Sequence, residues 1–335
     1  MVTRGMVISA DQGRAAVEAA VLAPSIHNSQ PWRWRLREDT LELSADLARA
    51  VPVVDPDHRQ LVVSCGAALL NAWLTLRTAG LDVVVDELPD GADITTGRLA
   101  TLRVVGRRPP TEDEAALTAA ITRRHTERRP FDPADLPAEL TRVLRRAAEA
   151  EGGWLVALVD PDARVELSVL LARADWIETH DPAYRAELRE WSRTDPNAPD
   201  GIPRSAVVGS GQPRQSEFPL RELDVVGEAG QRLRQLEVEH PGVLVLGTDA
   251  DAVADRLRAG RALGRVLLAA TAAGLATSPL GQAIDIEATR GLVRHTTGGS
   301  GAAQMILRVG YPDPSAPALP ATPRRPLSEV LDTAG

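Results

Sequence analysis

A chain of 335 residues with 44% hydrophobic and 25% charged residues has the balance of a soluble globular protein, long enough for one large domain or two ordinary ones. Its net charge of −8 argues against a general nucleic-acid or anionic-membrane surface, since both select for a basic face. All 38 basic residues are arginine, which excludes a P-loop lysine, a pyridoxal Schiff base and a catalytic lysine, and leaves any phosphate to arginine forks, hydroxyls or backbone amides.

Residues 1 to 14 mix Thr3, Arg4, Gly5, Ser9, Asp11 and Gln12 among apolar ones. They lack the continuous apolar core of a secretory signal, and no stretch approaches the roughly 18 uninterrupted apolar residues of a membrane span, so a cytoplasmic protein is expected. Residues 11 to 23 carry the apolar period of a helix. Ala23 to Trp34 (APSIHNSQPWRW) follows, with Pro24 and Pro31 bracketing Ser25, His27, Asn28 and Gln30. That is either a short, stiff loop offering several hydrogen-bonding side chains or only a helix-stop turn. A hairpin is predicted through Trp32 to Leu36 and Leu41 to Ser44, then a long apolar helix over 58 to 80. The single cysteine, Cys65, reads as buried packing and rules out an intrachain disulfide or a cysteine-rich metal site. A strand carries Leu102-Arg103-Val104, and Gly106 to Pro110 (GRRPP) reads as a connector.

Arg123 to Phe131 (RRHTERRPF) is the densest basic cluster of an otherwise acidic chain. Guanidinium groups bind phosphate bidentately and the hydroxyl of Thr126 can satisfy a further oxygen, although most such runs are solvated turns. A helix over 135 to 150 and a strand over 154 to 159 come next. Residues 192 to 220 are rich in Pro, Gly and Ser with little periodicity, the mark of a lid, a binding loop or disorder. The G-x-G at Gly209 to Gly211 falls in this stretch rather than between strand and helix, which argues against a Rossmann site. A second long helix over 250 to 275 leads into Thr277 to Gln282 (TSPLGQ), where glycine and proline let backbone amides approach a flat ligand. Leu307-Arg308-Val309 lies in a strand, and residues 312 to 326 read as an extended surface tail.

The chain repeats itself. Gly66 to Leu81 and Gly260 to Leu275 align without a gap, sharing Gly66/Gly260, Ala68/Ala262, Leu69/Leu263, Leu74/Leu268 and the Ala-Gly-Leu helix stop. Each is followed by a strand with a Leu-Arg-Val triplet. Helix, strand, long helix and strand recur in that order, which points to a duplication. The six histidines are scattered and no H-x-x-x-H occurs, so no metal site is expected, and the G-x-S-x-G of a hydrolase nucleophile elbow is absent.

Together the polar loop, the arginine cluster and the late segments resemble the nitroreductase family, and more closely its fused branch, sometimes called the Acg family. An A-P-S-x-x-N-x-Q-P-W element stands at Ala23 to Trp32 and an R-x-S-x-R element, with threonine for serine, at Arg124 to Arg128. A G-L-A-T-S-P-L segment spans Gly274 to Leu280, and Q-M-x-L-R-x-G-Y-P spans Gln304 to Pro312. The resemblance covers nearly the whole chain apart from its first residues and the 192 to 220 insert.

It implies an α+β, nitroreductase-like fold of two pseudo-symmetric halves, 1 to 110 and 111 to 335, each a mixed sheet flanked by helices. The helices 58 to 80 and 250 to 275 would meet at the pseudo-dimer interface. It further implies FMN as cofactor and NAD(P)H as electron donor, with a small organic acceptor as substrate. Arg124, Thr126, Arg128 and Arg308 would hold the phosphate and ribityl end. Ser25, His27, Asn28 and Gln30 would hydrogen-bond the ring, and Ser278, Pro279, Leu280 and Gly281 would line its other side. No catalytic acid or base is required, because the flavin carries the chemistry. In the first half the loop has no R-x-S-x-R beside it, and in the second Glu151-Gly152-Gly153-Trp154 replaces the loop, so one site is expected instead of two. The alternatives are a non-catalytic FMN-binding protein occluded by its insert and a specialised flavin oxidase or dehydrogenase. The assembly would be a monomer acting as a pseudo-dimer, or a homodimer.

Overall fold

The computed structural model describes residues 7–207, 216–221, 223, 239–299 and 301–333; residues 208–215 of the insert, with the G-x-G, lie outside the described residues. The first half opens with helix α1 (Ala10–Ala20), whose N-terminus is closed by a reciprocal pair between Ser9 and Gln12. The hairpin β1 (Trp32–Leu36) and β2 (Thr40–Ala45) follows its alternation: Trp32 and Trp34 point into the core and Arg33 and Arg35 outward. Helix α2 (Arg59–Thr78) leads to a second antiparallel pair, β3 (Leu81–Glu87) and β4 (Arg98–Arg107).

The second half begins with α3 (Glu112–Ala120) and α4 (Ala138–Glu149), then β5 (Trp154–Ala157) and two helices begun by proline, α5 (Pro161–His180) and α6 (Pro182–Trp191). The insert contributes a two-residue parallel pair, β6 (Ser192–Arg193) and β7 (Ile202–Pro203). Strand β8 (Gly242–Thr248), helix α7 (Val253–Ala272), strand β9 (Ala276–Pro279), the short helices α8 (Gln282–Asp285) and α9 (Glu287–Thr296) and strand β10 (Ala302–Gly310) complete the half. The chain then returns to the first half as α10 (Leu327–Val330) and β11 (Leu331–Thr333).

Two sheets result, with strand orders β11-β1-β2-β4-β3 and β5-β8-β10-β9. In the first, β11 runs parallel to β1 with Trp34 opposite Leu331. In the second, the named strands pair antiparallel, and a parallel bridge ties Thr126 to Thr277 of β9.

Between the sheets lie α2 and α7. By length and composition α2 could cross a bilayer, but 83% of its most apolar window is buried inside the protein, as a core helix requires. The two helices pack on each other through Gly66 and Gly260, the pair aligned by the internal repeat. A Cβ on Gly260 would overlap the Val63 carbonyl oxygen and stand 2.8 Å from the Gly66 Cα. The repeat thus brings its own glycine face to face across the pseudo-two-fold.

Helix propensity alone favours alanine over glycine by about 0.8–1.0 kcal/mol. Here the obstacle is backbone, which no rotamer change relieves, so the overlap wins. Gly260→Ala is expected to lower the unfolding free energy by about 1–3 kcal/mol in denaturant titrations. Gly66→Ala with Gly260→Ala should cost less than the sum of the two, since one separation of the helices serves both. A stabilised Gly260→Ala variant would contradict the close crossing.

Candidate functional site

Helix α1 stops ahead of Pro24, and the chain turns sharply through Ile26–Asn28. His27, Asn28 and Gln30 all take left-handed backbone angles, with φ of 48°, 54° and 52°. Each costs an L-residue on the order of 1 kcal/mol, so the surroundings must dictate the shape. They do so through α2: the Ile26 N–H donates to Ser64 Oγ at 3.2 Å, and Ser25 Oγ accepts the Gln30 N–H at 3.0 Å. The reward is the position of His27. Its ring is buried, and among the described residues neither nitrogen has a hydrogen-bond partner. Burial, aided by the charges of Arg221 and Arg128, pushes its pKa down to about 3, so the ring is neutral at physiological pH with one donor and one acceptor to offer.

Facing this loop is a group of arginines. Arg124 follows the end of α3, and the segment beyond it is tied to β9 by the Glu127 N–H donating to the Thr277 carbonyl at 2.9 Å. Arg128 donates to the Ala206 carbonyl at 3.2 Å, and Arg324 to the Val21 carbonyl at 2.8 Å. Among the described residues none of these three has a carboxylate partner. Burial lowers each from the usual arginine value, Arg124 and Arg128 to about 10 and Arg324 to about 9; the neighbouring guanidiniums add to it. A fourth, Arg221, is by contrast fully engaged, with Glu178, with the Tyr184 hydroxyl at 3.1 Å and with Asp285 at 3.0 Å. Unpaired, partly desolvated cations are costly by themselves and become favourable when an anion neutralises them.

These groups share one cavity of about 400 Å³, within the range of roughly 300–1,000 Å³ usual for small-molecule sites. Its walls combine the arginines with apolar side chains from both halves: Ile26 and Val63 from the first, Leu263, Leu267, Met305 and Leu307 from the second. Ser25, His27, Asn28, Arg124, Thr126, Arg128, Ser278, Pro279, Leu280 and Gly281 all line it. The site residues named from the sequence, spread over more than 250 positions, therefore converge, with two exceptions.

Gln30 and Arg308 do not reach the wall. Gln30 is fully buried: its amide donates to the Pro199 carbonyl at 2.8 Å and accepts from the Arg325 N–H at 2.9 Å. Asn28, though at the wall, donates its amide to the carbonyls of Gly201, at 3.1 Å, and Pro323, at 3.3 Å. Both side chains thus hold the insert and the C-terminal segment. Arg308 sits inside β10 and turns away, into an ion pair with the fully buried Glu239. Its other nitrogen donates to the carbonyls of Glu127 and Arg129, at 3.2 and 3.0 Å. It pins the 127–131 segment from behind, with its guanidinium 4.2 Å from the Phe131 ring centroid.

Two cavity arginines were missed from the sequence, Arg221 and Arg324. The second lies in the stretch read as a surface tail, of which Leu319 to Arg324 form one wall. A pair of arginines in a proline-rich run with no adjacent acid was the available signal. The insert contributes Pro196, Gly201 to Pro203 and Ser205 to Val207 to the same wall. At the pseudo-equivalent position of the second half, Glu151 is buried and held by Arg261 and Arg265 of α7, and Arg265 also reaches Asp113 at 2.9 Å. Ion pairs between elements stand there in place of the polar loop.

No family model matches the chain. Among curated proteins it is 35% identical to "Putative NAD(P)H nitroreductase Rv3131" of Mycobacterium tuberculosis (strain ATCC 25618 / H37Rv), across 96% of this chain and 92% of that one. It is 33% identical to "Putative NAD(P)H nitroreductase acg" of the same strain, across 97% and 96%. Among solved structures, a nitroreductase with bound FMN from Desulfitobacterium hafniense DCB-2 matches with a TM-score of 0.40 and 14% identity, covering 66% of this chain and 98% of that one.

Proposed function

The chain belongs to the nitroreductase family, and on that premise we propose that its arginine-lined cavity holds FMN and serves electron transfer from NAD(P)H to a small organic acceptor. The observation that carries this reading is the set of three half-buried arginines, Arg124, Arg128 and Arg324, which have no carboxylate partner among the described residues and gather on one cavity of a chain whose net charge is −8. A phosphate dianion supplies the missing charge, and the apolar walls suit a flat ring system. Arg124 and Arg324, with the Thr126 hydroxyl, would hold the phosphate; Arg128 would add positive charge beside an electron-rich ligand; Ser25 and His27 would offer hydrogen bonds to ring heteroatoms.

FMN, when bound, supplies the electron transfer itself. The protein's part is to bind, orient and exclude water. His27, neutral and without a hydrogen-bond partner among the described residues, can hydrogen-bond a ligand without adding charge. The insert and the C-terminal segment, both latched to the polar loop through Asn28 and Gln30, form part of the cavity wall and would close it against solvent around a bound ligand. That same closure favours a second reading, FMN binding without turnover. In either case residues 1 to 110 and 111 to 335 act as the two halves of a pseudo-dimer around a single site.

The test is to purify the protein, record its visible spectrum, and add NADH or NADPH without oxygen. Bound FMN that bleaches supports the reductase. Bound FMN that stays yellow favours the second reading. A protein that cannot take up FMN at all defeats both.

A further inference from the structure

Helix α5 is apolar on two opposite sides. One side, with Leu167, Leu170, Leu171 and Ala174, is buried in the core of the second half. On the other, Val165, Val169 and Trp176 are exposed at 65%, 61% and 61%, with exposed Ala172 between them. Positions 165, 169, 172 and 176 fall within roughly 60° of arc at 3.6 residues per turn. Alternating steps of four and three are how one helix seats on another. Trp176 is further stacked on His180, with ring centroids 4.4 Å apart, which widens the flat apolar surface.

The charges beside this stripe say what covers it. Along one flank, Asp162 and Glu166 lie in the N-terminal part of the helix and Arg173 and His180 in the C-terminal part. Asp162, Glu166 and Arg173 are exposed, and among the described residues none of them has an ion-pair partner. When two copies of a helix pair antiparallel about a two-fold axis, the same flank of each meets the other. Glu166 then faces Arg173 of the second copy and Asp162 faces His180, while Trp176 covers Val165. The helix dipoles oppose each other favourably. A foreign partner would have no need of such self-complementarity.

We propose that α5 is the interface of a homodimer, paired antiparallel about a two-fold axis passing between Val169 and Ala172. The surface is independent of the flavin site, so this assembly stands or falls apart from the function assigned above.

The test is sedimentation velocity on the full chain over roughly 1–100 µM, a range that resolves micromolar self-association. The chain is expected to dimerise in that range. Trp176→Glu and Glu166→Arg should each raise the dimer dissociation constant about tenfold or more, the first by loss of the buried aromatic anchor and the second by like-charge contact. Glu166→Arg combined with Arg173→Glu should return it to within about threefold of the starting value, since the swap restores opposite charges across the axis. All these side chains are exposed, and circular dichroism melts will confirm that the variants fold. A chain that stays monomeric throughout, or a dimer indifferent to Trp176→Glu, overturns the proposal. Failure of the charge swap to restore the dimer overturns the antiparallel two-fold.

Discussion

Replacing Arg124 and Arg324 together with alanine is expected to weaken FMN binding by about 100-fold or more. Hydrogen bonds to a charged group contribute about 1.5–3 kcal/mol each, or roughly 10- to 150-fold in a dissociation constant, and each guanidinium would make at least one. The informative part is the sign of the effect on the protein without ligand. Both groups sit below the usual arginine pKa because desolvation and a neighbouring guanidinium, Arg128 beside Arg124 and Arg124 beside Arg324, penalise their charged forms. Removing them relieves that penalty, so the ligand-free variant should melt at the same temperature or higher. Lost affinity with undiminished stability is the signature of a binding residue; a structural residue loses both. Arg123 is the control: it is exposed, and among the described residues its side chain donates only to the Ala119 carbonyl in the last turn of α3, so Arg123→Ala should leave both unchanged. Fluorescence titration with FMN and thermal melts of the ligand-free protein decide it. Unchanged FMN affinity in the double variant would sink the phosphate assignment.

Arg308→Ala should behave in the opposite way. It leaves Glu239, with no exposed surface, buried without its cation, and it frees the carbonyls of Glu127 and Arg129. Breaking one side of a buried pair costs about 3–5 kcal/mol, which denaturant titration would read directly. The variant that also removes the stranded charge, Arg308→Met with Glu239→Gln, should recover a substantial part of that loss, because no unpaired ion remains. Under conditions where Arg308→Ala is still folded, its FMN affinity should stay within a few fold of the parent. A variant as stable as the parent but unable to bind FMN would restore Arg308 to the phosphate and refute the geometry described above.

These two arginines show where reading a sequence stops. Both are arginines among apolar or proline-rich neighbours, and no local pattern distinguishes them. Arg308 belongs to a strand whose side chains are buried on both faces, so its orientation depends on what lies behind the sheet, and that is Glu239, sixty-nine positions away. Arg324 belongs to an irregular segment whose path across the first half is set by Asn28 and by the addition of β11 to β1. The polar loop tells the same story in reverse. Its composition marked it as a hydrogen-bonding element, but Gln30 and Asn28 spend their amides on the insert and the C-terminal segment. A side chain's donors are a property of the sequence; its acceptors are a property of the fold.

What the sequence determined by itself are the features that depend on near neighbours or on repetition. Periodicity placed α1, the β1–β2 hairpin, α2 and α7, because burial of one face leaves a period in the chain. The internal alignment paired Gly66 with Gly260, and the fold shows that these equivalent residues meet at the helix crossing, as a pseudo-two-fold axis allows. The Arg124 to Arg128 cluster stood out as the densest basic run of an acidic, lysine-free chain, and the fold places Arg124, Thr126 and Arg128 on the cavity wall. Tertiary structure alone decided which cations are left without a carboxylate. Glu239 neutralises Arg308, Glu178 and Asp285 neutralise Arg221, and no described acid reaches Arg124, Arg128 or Arg324. That distinction arises from long-range contacts between segments with no common local pattern, and the free energy of a buried charge depends on its distance to the nearest countercharge, which only the folded chain defines.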